Sequence, residues 1–68
     1  MTTSAFHPIR QARLSRNLSQ GALGEQVGVT KAAICKMELG QTHPRPEVAK
    51  KLAHVLKLRL EQVYAEAA

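Results

Sequence analysis

The sequence predicts an all-α protein, a compact bundle of five short helices. Three observations carry that expectation. Apolar residues recur at i, i+3 and i+4, and no segment joins period-two alternation to β-branched enrichment. Residues that open helices, Pro8, Ser19, Thr30 and Pro46, punctuate the chain. Residues that end helices, Asn17, Gly28 and Gly40, follow the first three of them about three turns later.

The elements follow in order. Met1 to Ala5 is small and polar and reads as a loose arm; the arm is set at residues 1–7 and the folded domain at 8–68. Phe6-His7-Pro8 reads as a helix entrance, with Pro8 at the first helical position and Phe6 placed to staple onto the first turn. The first helix is expected over Pro8 to Arg16, with Ile9, Ala12 and Arg13 on one face, and Asn17 ends it in the left-handed conformation. Ser19 caps a second helix, Gln20 to Val27, that buries Leu23 and Val27, and Gly28 ends it.

Val29-Thr30 is a short connection. Thr30 caps a third helix, Lys31 to Leu39, with Ile34, Met37 and Glu38 on one side and Lys31, Ala32, Cys35 and Lys36 on the other. Gly40 stops it, and Gln41 to Arg45 is a loop. Pro46-Glu47 opens a fourth helix that runs to about Leu56, with Val48, Leu52, Ala53, Val55 and Leu56 as its apolar stripe. After a break at Lys57-Leu58, a fifth helix is expected over Leu60 to Glu66, offering Leu60, Val63 and Tyr64 for packing.

Size and composition bound the function. The 68 residues, beginning with Met1, read as one small domain, and a lone core is thin at this length. Cys35 is the only cysteine, so no internal disulfide can form. His7, His43 and His54 show no metal-ligand spacing, and no cofactor is expected. Glu25, Glu47, Glu61 and Glu66 are scattered and give no paired-carboxylate site, no histidine lies near a nucleophile, and no phosphate-binding glycine loop follows a strand, so an enzyme is not expected. No apolar run approaches the length of a membrane span and no signal peptide opens the chain. With a lone cysteine, this points to the reducing cytoplasm. The formal net charge of +5 favours a polyanionic partner, nucleic acid before an acidic membrane surface.

The most informative segment is Gln20 to Leu39. Two short helices crossing over a three- or four-residue turn need a residue tolerant of positive φ in the turn, a small residue at the close crossing, and apolar residues filling the angle. Gly28, Gly24 and the set Leu23, Val27, Val29, Ile34 and Met37 stand in those places. The stretches IRQARLSRNLSQGALGEQVGVTKAAICKMELG and PEVAKKLAHVLKL resemble the Cro/repressor-type (XRE-type) helix-turn-helix family of phage repressors and bacterial regulators, from about Ile9 to Tyr64. The R-x-x-x-N-L-S-Q run, the V-G-V-T turn and the M-E-L-G helix end carry it most specifically.

The resemblance implies a lambda-repressor-like fold whose third helix lies in the major groove of double-stranded DNA. It implies base readout by Lys31, Ala32 and Lys36, with Cys35 beside them; lysine suits guanine and alanine a thymine methyl. An incidental thiol is the simpler account of Cys35 than a redox switch. Gln20 would contact a phosphate or brace the reading residues, and Ser19, Thr30, Arg45, His43 and Arg10 would support the DNA backbone. The resemblance also implies a structural ion pair between Arg13 and Glu38. The chain departs from the pattern at Gly21 and Gly24, where relatives tend to have Glu and Ala, at Leu39, where a polar phosphate contact is common, and in the loop QTHPRP, which is not lysine-rich.

The function implied is a sequence-specific transcriptional regulator, a repressor that binds a pseudo-palindromic operator as a homodimer, with Leu58 to Tyr64 offering a dimer contact. The alternative is an antitoxin-type module that neutralises a toxin partner and autoregulates its operon. Termination at Ala68 leaves little tail for a toxin and favours the first.

Overall fold

A computed structural model describes residues 7–64. They form five helices: α1 (Pro8–Ser15), α2 (Gln20–Val27), α3 (Lys31–Glu38), α4 (Pro46–Leu56) and α5 (Leu60–Val63). No strand occurs among the described residues.

Local chemistry sets most of the boundaries. His7 caps α1 through its ring: Nδ1 accepts from the Ile9 N–H at 3.2 Å, ahead of Pro8, whose missing N–H costs nothing there. His7 itself is 3% exposed, so the entrance to α1 is part of the packed body. The Phe6 staple lies outside the described residues. Ser19 Oγ accepts from Ala22 N–H at 2.9 Å, and Thr30 Oγ1 from Ala33 N–H at 3.1 Å. Each hydroxyl thereby satisfies a donor that the first turn of its helix cannot pair.

The ends need small corrections. Arg16 and Leu39 are caps rather than helical residues, so α1 and α3 each stop one position earlier than the sequence pattern indicates. Gly40, with φ of 76°, turns the chain away after Leu39. Asn17 adopts φ of 56° and Lys57 φ of 55°, the left-handed conformation that closes a helix. At Lys57 sequence reading indicated only a break. The fifth helix is a single turn ending at Val63, with Tyr64 as its cap; the expected extension to Glu66 lies outside the described residues.

The core is Ile9, Leu23, Val27, Ile34, Met37, Ala49, Leu52, Leu56 and Val63, drawn from every helix. On α4 the buried line is Ala49, Leu52 and Leu56 at i, i+3, i+7, while Val48, Ala53 and Val55 are only partly buried around it. The expected stripe had the right helix face but was centred on its edge, because Ala49 contributes little apolar weight.

The pair α2–α3 packs most extensively, and α1 lies against α3, α4 and α5. The α2–α3 angle depends on Gly24. A Cβ at that position would stand 2.5 Å from the Val29 carbonyl oxygen and 3.3 Å from the Thr30 carbonyl carbon. The close approach is therefore to the turn backbone leading into α3. Gly28, at φ of 80°, supplies the left-handed step of the same turn.

Candidate nucleic-acid interface

The outward side of α3 is built by subtraction. Ile34, Met37 and Glu38 are taken inward, which leaves Lys31, Ala32 and Lys36 exposed on one side and Cys35 half-buried beside them. Lys31 and Ala32 occupy the first turn and Lys36 the second, so the polar groups begin at the helix end whose free N–H groups also attract anions.

What fixes the pose of α3 is a buried polar cluster at its other end. Glu38 is 2% exposed and Arg13 5%. Arg13 Nε donates to Glu38 Oε2 at 2.6 Å and Nη2 to Oε1 at 3.2 Å, a bidentate pair. The remaining Arg13 nitrogen, Nη1, donates to the Leu18 carbonyl at 2.9 Å, just before α2. Gln20 Nε2, from the first residue of α2, donates to Glu38 Oε1 at 3.1 Å. Arg10 Nη1 lies 3.6 Å from the same oxygen, with its side chain 39% exposed.

One carboxylate thus ties α1, α2 and α3 together. Two arginines face it, so the cluster carries a surplus positive charge, and Arg10 is the cation whose charge reaches solvent. Every buried side-chain N or O among the described residues has a hydrogen-bond partner, so the cluster offsets part of the cost of taking its charges out of water and leaves no buried polar atom unpaired.

The other expected backbone-contact residues separate. Ser19 and Thr30 are exposed, and their hydroxyl oxygens are engaged in capping, which leaves each O–H free to donate outward. Arg45 is exposed at the cap position of α4 and makes no side-chain cap bond. His43 is exposed, but its ring lies 6.1 Å from that of Tyr64, which draws the loop between α3 and α4 toward the end of α5. Sequence reasoning missed this contact, and also the Arg16 Nη2 donation to the Leu56 carbonyl at 3.4 Å, which covers the end of α4. Neither pair is linked by any helical spacing.

A groove of about 300 Å³ between α1 and α5 is lined by Pro8, Gln11, Ala12, Ser15, Leu58 and Gln62. It contains no carboxylate, imidazole or thiol with which to do acid, base or nucleophilic chemistry. No group of His, Cys, Asp or Glu among the described residues could hold a metal ion. No helix among them is long and apolar enough to cross a membrane.

A compact all-α domain with two helices locked across a glycine turn, and a polar outer face on the second, defines a helix-turn-helix protein. The chain matches the helix-turn-helix family over residues 9–63 and belongs to it, in its Cro/repressor (XRE) branch. The family is a DNA-binding one and is not enzymatic. No solved structure matches the chain significantly.

Proposed function

We propose that this protein is a sequence-specific transcriptional regulator, a repressor that reads operator DNA by laying α3 in the major groove. Lys31, Ala32 and Lys36 meet base edges, with Cys35 at the margin. Gln20, Ser19, Thr30, Arg45, His43 and Arg10 hold the phosphate backbone or brace the groups that do. The observation that carries this reading is the division of α3. Its inner face and its C-terminal end are immobilised by the core and by Arg13, Gln20 and Glu38, while its outer face is unpaired among the described residues and presents two lysines flanking an alanine. A rigid helix with a free polar face suits direct readout, since base-edge hydrogen bonds discriminate only when their donors are held in register.

Two copies on a pseudo-palindrome would place their α3 helices about one helical turn apart. Support for a homodimer comes from apolar surface left uncovered in so small a body: Leu14 is 50% exposed and Leu60 45%. Occupying promoter DNA in this way blocks transcription without a ligand.

Competition binding at fixed salt tests the reading. A regulator of this kind binds its selected duplex at least about 10³-fold more tightly than random duplex. Equal affinity for both would make the protein a non-specific binder instead.

A further inference from the structure

Positive charge is unevenly placed along this chain, and much of it lies away from α3. Residues 20–45, which contain the helix-turn-helix and the following loop, carry three Lys/Arg against two Glu, a net of +1. Residues 46–59, α4 and the chain after it, carry four Lys/Arg against one Glu, a net of +3. Those four, Lys50, Lys51, Lys57 and Arg59, are all exposed, and none has an ion-pair partner among the described residues.

Two of them, Lys50 and Lys51, lie within α4, and the other two cap helix ends. Lys50 and His54 stand at i and i+4 on α4 with Lys51 beside them, and Lys57 follows at the helix cap, where the backbone turns left-handed. Lys50, Lys51 and His54 lie opposite the buried line of Ala49, Leu52 and Leu56. The helix dipole accounts for cations in the last turn, but Lys50 and Lys51 are mid-helix, one turn after Glu47.

From this distribution we infer that the outer face of α4 is a second polyanion surface, and that it grips the phosphate backbone of a second DNA duplex while α3 reads the first. Three features favour that partner. The face is cationic without an apolar anchor: the large exposed apolar residues are Leu14, Leu39 and Leu60, none of them on α4. Protein interfaces centre on apolar or aromatic anchors and are depleted in lysine, whereas phosphate contacts need only cations in a line. Finally, α3 and α4 both turn their buried sides to one core without packing extensively on each other, so their outer faces are separate surfaces. The inference rests on the DNA-binding reading of α3 and adds a bridging activity to it.

The test uses the full chain and two duplexes: a biotinylated 25-bp duplex selected for tight binding and a fluorescent 60-bp duplex of random sequence. The variants are K50A/K51A/K57A and, as the conservative control, K50R/K51R/K57R, each verified as folded by circular dichroism. Wild type should carry the fluorescent duplex onto streptavidin beads. The alanine variant should lose that capture by about tenfold or more at unchanged salt, because three phosphate contacts are removed. Its affinity for the 25-bp duplex should stay within about twofold, and the arginine variant should bridge like wild type.

Undiminished bridging by the alanine variant overturns the inference, since two α3 helices of a dimer would then suffice. A matching fall in affinity for the 25-bp duplex also overturns it, since α4 would then be touching the duplex that α3 reads. Loss of sequence preference with bridging intact strikes the α3 reading alone.

Discussion

Glu38 is the residue on which most of the site depends. Its carboxylate accepts from Arg13 and Gln20 and faces Arg10, and it joins the three helices that position the outer face of α3. Removing Arg13 leaves a nearly buried carboxylate without its bidentate partner, at a cost of about 3–5 kcal/mol. Arg10 is partly solvated and makes no hydrogen bond to Glu38, so its removal should cost under about 1 kcal/mol. Arg13→Ala should therefore melt well below Arg10→Ala in thermal denaturation; equal melting temperatures would show that the buried pair does not hold the helices. The resemblance to a known family made the Arg13–Glu38 pair readable from sequence. Gln20's attachment to Glu38 was not, because the two residues are 18 positions apart and glutamine at the start of a helix is equally suited to a phosphate.

At the scale of the element, α2 makes the sharpest case. It carries two glycines with opposite surroundings. A Cβ on Gly21 would find only Ser19 Oγ, at 3.9 Å, whereas one on Gly24 would collide with the Val29 carbonyl at 2.5 Å. Gly21→Ala should raise stability by about 0.5–1 kcal/mol, the helix-propensity difference. Gly24→Ala should lower it, since backbone must shift by several tenths of an ångström to admit the methyl. Chemical denaturation of both variants checks this, and a stabilised Gly24→Ala would mean that the turn yields more easily than its packing indicates.

Helix starts were readable because capping is short-range: Ser19 and Thr30 each bond a backbone N–H three residues on. The ends were less so. Lys57 closes α4 without a residue type that announces it, and α5 is too short for its apolar pattern to fix where it stops. Ala49, fully buried on α4, was passed over because periodicity weighs large side chains most.

For the whole molecule, the question is how cations divide between positioning the protein and reading sequence. Arg45 is exposed, makes no side-chain cap bond, and lies where the chain leaves α3 for α4. Arg45→Ala should weaken binding almost evenly across sequences and reduce the salt slope by about one unit. Measuring affinity against salt for several duplexes would show it, and a loss confined to one duplex would assign Arg45 to base readout instead. The family, the fold and the polar outer face of α3 could all be read along the chain. The link from the loop at His43 to Tyr64 appears only when elements distant in sequence are brought together.

Selection of bound sequences from random duplex DNA, run in parallel with wild type and Lys36→Ala, tests the central claim that α3 reads bases. Wild type should return a pseudo-palindrome with half-sites about one helical turn apart. Lys36→Ala should return the same pattern with one position per half-site relaxed, by about 1–3 kcal/mol of discrimination. An identical consensus from both proteins, or none from wild type, would contradict the account.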